Sequence, residues 1–133
     1  MLLRKQIGSL AATTVLTMAL TACADRGDHG NLKTILSDLR QATVPRAATE
    51  LQTSPVERTR SAATAVWSFR VPMQRNTYRG WVLANIDGHQ VSCDTDTLLV
   101  VSRRVPGDVH RLEIRMTGGS PLGVQVSFRG MPD

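Results

Sequence analysis

The 133-residue chain carries 16 Lys and Arg against 11 Asp and Glu, a formal net charge of +5. That length suits one domain with a modest core and is too short for two. A basic balance usually points to nucleic acid, but the first segment of the chain argues against that class.

Residues 1–22 have the three parts of an export signal. Arg4 and Lys5 form a positive start, Ile7 to Leu20 is uncharged and apolar, and small Thr21 and Ala22 precede Cys23. The apolar stretch is short for a membrane-spanning helix, which takes about 20 residues, and Ser9, Thr13, Thr14 and Thr17 dilute it. Leu20-Thr21-Ala22-Cys23 resembles the lipobox of bacterial lipoproteins. The resemblance implies cleavage before Cys23, whose thiol takes a diacylglycerol thioether, and often acylation of the new amine. Two or more chains anchor stably where one does not. Ala24 follows Cys23, with Asp25 one later. In enterobacterial lipoproteins Asp directly after the cysteine favours inner-membrane retention, so the resemblance favours the outer membrane.

Cleavage would remove Arg4 and Lys5, leaving 14 basic residues against 11 acidic ones, with Lys33 the single Lys. Export and a net of +3 argue for a solvated, Arg-rich surface rather than a nucleic-acid partner. Lipid on Cys23 also leaves Cys93 unpaired in an oxidising compartment. Cys93 reads as a buried small hydrophobe, with an intermolecular disulfide as the alternative.

Ala24 to Gly30 reads as a polar tether. Asn31 to Ala42 reads as a short helix: Asn31 suits the N-cap, and Leu32, Ile35, Leu36 and Leu39 form one apolar stripe. Val44-Pro45 ends it. All five aromatics, Trp67, Phe69, Tyr78, Trp81 and Phe128, lie later, so the packed domain is expected over 54–133, after a tether and helix over 23–53. Ser54-Pro55-Val56-Glu57 carries a capping-box pattern and predicts a brief helix to about Ala62. From Thr64 the period becomes two: Trp67, Phe69 and Val71 alternate with Ser68 and Arg70, and Pro72 ends that strand.

Two hairpins are expected next. Tyr78 to Ile86 and His89 to Cys93 flank Asp87-Gly88, which pairs Ile86 with His89, Ala84 with Val91, and Val82 with Cys93. Leu98 to Arg104 and Val109 to Met116 flank Val105-Pro106-Gly107-Asp108, which sets Val101 opposite Leu112 and Leu99 opposite Ile114. A last strand alternates Val124, Val126 and Phe128 with Gln125, Ser127 and Arg129. The fold class is α+β: one or two short N-terminal helices, then a mainly antiparallel sheet of about six strands. In these registers one sheet face is fully apolar. Trp81, Leu83, Leu98 and Val100 are surplus apolar positions on the other. They are either covered by the N-terminal helix or form a partner surface.

No nucleophile elbow or Cys-His arrangement of a known kind appears. His89, Cys93, Asp94 and Asp96, with Asp87 nearby, form the best metal-like cluster. It lacks a second ligand pair at zinc spacing and the Gly and later Glu of a calcium loop. Gly118-Gly119 reads as a turn rather than an anion nest. No catalytic residue, cofactor or metal is therefore assigned. The expected protein is a small, non-enzymatic, lipid-anchored envelope component facing the periplasm. Its expected partners are the membrane, through Cys23, and another envelope protein of an assembly or secretion system, with no nucleic acid. The alternatives are a periplasmic inhibitor of a lysozyme-like enzyme, and a metal-binding protein or hydrolase.

Overall fold

The structure is a computed structural model that describes residues 23–86 and 88–132. The described residues fall into two units, one ending at Asp38 and the other beginning at Leu39. Helix α1 runs Cys23–Thr43, so it begins ahead of the expected N-cap at Asn31, and residues 24–30 are helical rather than a tether. Helix growth from a formed nucleus adds one hydrogen bond per residue ordered, which carries α1 past a residue suited to starting it. All of the sheet lies in the second unit. Its strands are β1 (Thr49–Thr53), β2 (Glu57–Arg58), β3 (Ala63–Val71), β4 (Gln90–Asp94), β5 (Leu98–Val105), β6 (Asp108–Thr117) and β7 (Leu122–Pro132). Helix α2 (Arg75–Asn85) stands between β3 and β4.

The strands form one antiparallel sheet in the order β1-β3-β7-β6-β5-β4, with β2 also paired to β3. The expected α+β class and mainly antiparallel sheet hold, but the helices are not both N-terminal and short. The last four strands follow one another as a meander. The long-range step is β3 beside β7, where Trp67 meets Val126 and Phe69 meets Val124.

Alternation along these strands builds an inner, buried face. It carries Trp67, Phe69 and Val71 from β3, Leu99 and Val101 from β5, and Leu112, Ile114 and Met116 from β6. Val124, Val126 and Phe128 complete it from β7. The β5–β6 hairpin has the expected register, Leu99 with Ile114 and Val101 with Leu112. Pro106-Gly107 is its two-residue loop, and Gly107 supplies the φ of +84° that the turn needs.

Two expectations are overturned. Tyr78 to Ile86 is not a strand: Arg75–Asn85 is α2, so the pairs Ile86–His89, Ala84–Val91 and Val82–Cys93 do not form. Tyr78, Val82 and Ile86 recur at helical spacing and are all buried. The ring of Tyr78 meets Phe69 edge-on at 6.1 Å, which lays α2 on the inner face between β3 and β4. The helix ends as the Asn85 amide donates to the Trp81 carbonyl at 2.6 Å and the Ile86 N–H to the Val82 carbonyl at 3.0 Å.

Ser54 likewise starts no helix. Its hydroxyl accepts the Val66 N–H at 3.0 Å and its own N–H donates to the Val66 carbonyl at 2.9 Å. Thr59 then turns the chain: its N–H donates to the Ala62 carbonyl at 2.8 Å, and its hydroxyl accepts the Ala62 N–H at 3.1 Å. Side-chain-to-backbone bonds of this kind compete with a helix, and here they pair β2 with β3.

The end of α1 is tied to this core by Thr43, which is fully buried. Its hydroxyl donates to the Leu39 carbonyl at 2.8 Å and accepts the Trp67 indole N–H at 2.9 Å. Its carbonyl accepts the Tyr78 hydroxyl at 2.7 Å. The Arg40 guanidinium lies 5.7 Å from the centre of the Trp67 ring, within cation–π range.

Candidate functional site

The opposite, outer face of the sheet stands out for its side chains. Along β6 it presents Arg111, Glu113 and Arg115, along β7 Gln125, Ser127 and Arg129, and along β3 Thr64, Val66, Ser68 and Arg70, by the same alternation that buries their neighbours. The register aligns them in rows: Arg111 with Arg129 and Thr64, Glu113 with Ser127 and Val66, Arg115 with Gln125 and Ser68. Arg70, Arg111, Arg115, Gln125 and Arg129 are exposed.

Glu113 lies between two arginines, 3.2 Å from Arg111 and 3.6 Å from Arg115. These pairs are open to solvent, so each contributes little to stability. Arg129 stands directly across from Arg111. Like charges at opposed positions of an antiparallel pair are unfavourable, and Arg129 makes no salt bridge among the described residues. Folding alone does not account for the choice of arginine there.

Two hollows indent this face. One, of about 430 Å³, is lined by Thr64, Val66, Arg111, Ser127, Arg129 and Met131 among others. The second, of about 290 Å³, is bordered by Gln52, Ser68, Arg70, Arg115, Thr117 and Gln125. Gly123 opens its floor: a methyl group there would sit 3.0 Å from the Thr117 hydroxyl. Glu50, in the left-handed region at φ +57°, sits in the bulge of β1 and reaches 3.7 Å from Arg70.

The residues singled out from sequence do not form one surface. Leu98 and Val100 share the outer face, opposite Arg115 and Glu113, with Leu98 half-buried and Val100 buried. Trp81 and Leu83 are on α2 instead. Trp81 is half-buried with its ring 6.2 Å from Tyr78, and Leu83 is exposed. Cys23 is the first residue of α1, while Leu20-Thr21-Ala22 lie outside the described residues.

His89 lies before β4, and a bulge between Val91 and Cys93 shifts the pairing, so Cys93 joins the face of Gln90. The even spacing from His89 to Cys93 therefore does not bring them to one strand face. Cys93 is half-buried as a free thiol. Asp87 lies outside the described residues, and no three metal-ligating side chains come together among the described ones.

His110 belongs to the inner face. It is buried, 5.5 Å from the ring of Phe128. Burial pushes its pKa below the usual histidine value; Asp108 opposes that shift, while His89 and Arg103 add to it. Burial pushes the Tyr78 hydroxyl upward. Both groups are neutral parts of the core at neutral pH.

The expected hairpin register, Val101 with Leu112 and Leu99 with Ile114, also puts Arg111, Glu113 and Arg115 on one face. It does not place Arg129 beside them, because that requires β7 to lie against β6. No helix among the described residues is long and apolar enough to cross a membrane. No protein-family model, curated protein or solved structure matches this chain.

Proposed function

We propose that this chain is a small, lipid-anchored, non-enzymatic component of the cell envelope that holds a partner protein on the outer face of its sheet. The observation that carries this reading is the opposed pair Arg111 and Arg129 on an exposed, indented face. An antiparallel sheet commonly leaves one face to water. Cations set opposite one another on it, where Glu113 is shared by Arg111 and Arg115 and Arg129 has no salt bridge among the described residues, are better explained by a partner that supplies the countercharge. The lipobox-like Leu20-Thr21-Ala22-Cys23 supports anchoring through Cys23, with the outer membrane favoured over the inner.

Palmitate labelling tests the anchor: the label is expected in the parent chain and absent from Cys23→Ser. A photo-crosslinking amino acid at Ser127, on the outer face, is expected to trap a discrete envelope protein in living cells, and one at exposed Gly119 is not. Equal trapping from both positions, or from neither, would sink the interaction reading. A partner with lysozyme-like activity, inhibited on binding, would turn it into the inhibitor.

A further inference from the structure

We propose that the outer face takes an extended acidic segment of the partner protein, with two carboxylates about four residues apart. This rests on the interaction reading above and specifies its ligand.

The spacing comes from the sheet. Arg111 and Arg129 form one cationic station, and Arg115 with Arg70 forms the other, each beside its own hollow. Arg111 and Arg115 are four residues apart on one strand, about 13 Å at the rise of an extended chain. A bound segment in the same extended form presents its i and i+4 side chains at that separation on one side. Between the stations, Glu113, Ser127 and Val66 form the central row. Glu113 repels a carboxylate placed there, so the middle of the segment is neutral, and Val66 offers it apolar contact.

Charge favours the same ligand. The face presents Arg70, Arg111, Arg115 and Arg129 against Glu50 and Glu113. Guanidinium groups pair with carboxylates in fork geometry. A second copy of this chain would bring arginines against arginines. A bilayer surface offers a continuous sheet of anions and gains nothing from an acid in the central row.

The test uses the full lipidated chain in neutral detergent micelles and fluorescence anisotropy of a labelled peptide, Gly-Glu-Thr-Val-Thr-Glu-Gly. Saturable binding that weakens with added salt is expected. Arg129→Gln and Arg115→Gln are each expected to raise Kd about two- to five-fold, and Arg129→Lys to retain most of the binding. Gly-Glu-Glu-Thr-Val-Thr-Gly, with the same charge but adjacent acids, is expected to bind more weakly. A thermal midpoint no lower than the parent's in the arginine variants shows that the fold is intact.

Equal binding of the two peptides, or binding indifferent to Arg129 and Arg115, would overturn the proposal. So would displacement of the peptide by dihexanoylphosphatidylglycerol with the same arginine dependence, which would make the face a headgroup site. A cross-link from Ser127 formed in the same yield in Arg129→Gln as in the parent would overturn this proposal and leave the broader interaction reading standing.

Discussion

Thr43 shows how much one side chain organises here. It serves Leu39, Trp67 and Tyr78 through two oxygens, all away from water. Thr43→Val keeps the shape but leaves the Trp67 indole N–H unpaired, and burying an unmet donor costs about 1–3 kcal/mol. Urea unfolding is expected to show a loss of that size, and Tyr78→Phe, which leaves the buried Thr43 carbonyl without its donor, is expected to cost a similar amount, about 1–3 kcal/mol. The two changes touch one network, so their effects are not expected to add. His110 gives the molecule a pH dependence with a defined sign. Its pKa is lower in the fold than in the unfolded chain, so the unfolded state takes up the proton first. Stability from this group is present above about pH 6.5 and is lost as pH falls through that value towards the folded one. Thermal midpoints between pH 7.5 and 5 are expected to fall in the parent and to fall less in His110→Leu.

Helix α2 is the element where local sequence and final structure part. Trp81, Val82 and Leu83 form an apolar run that fits either period, and Gly80 lowers helix propensity. Either period puts Tyr78, Val82 and Ile86 on one side, but the helix also half-buries Trp81 beside Tyr78, whereas a strand would have turned it to the opposite face. Gly80 is exposed, and nothing lies within 4 Å of an added methyl group. Gly80→Ala is therefore expected to stabilise the protein by about 0.5–1 kcal/mol. Gly80→Val should stabilise it less, because β-branching restricts a helical side chain. A strand would reverse that order, so the two melts report which structure the segment adopts. The β5–β6 hairpin was legible because Pro106-Gly107 and the flanking alternation both specify one register. Ser54-Pro55 misled because its capping signature is also suited to a side chain that closes on a neighbouring strand.

For the whole molecule, the two sheet faces have separate tasks. The inner face carries stability and the outer face is spare for it: Arg111→Gln and Arg129→Gln are each expected to shift unfolding free energy by no more than about 0.5 kcal/mol. Removing either relieves the like-charge opposition, so an increase in stability is the expected sign. Urea titration checks this, and a loss above about 1 kcal/mol would show that these arginines hold the fold together. The topology also places the most distant pairing, β3 with β7, inside the sheet rather than at an edge. Loops of that length close slowly, so β3–β7 amides are expected to gain hydrogen-exchange protection later in refolding than those of the β5–β6 hairpin.

Local sequence is enough for the strands whose alternation and turns agree: Ala63–Val71, the hairpin Leu98–Thr117 and the last strand, with the side chains each sends to either face. These depend on local geometry, a period of two and a glycine turn. The tertiary structure alone decided that Arg75–Asn85 coils, that Ser54 pairs with Val66, and that β7 enters between β3 and β6. Each is a choice between locally similar options, settled by which one buries more apolar surface and satisfies more backbone groups. The facing of Arg129 with Arg111 belongs to that second class, because no local rule brings residues from two strands into one row until the sheet order is known.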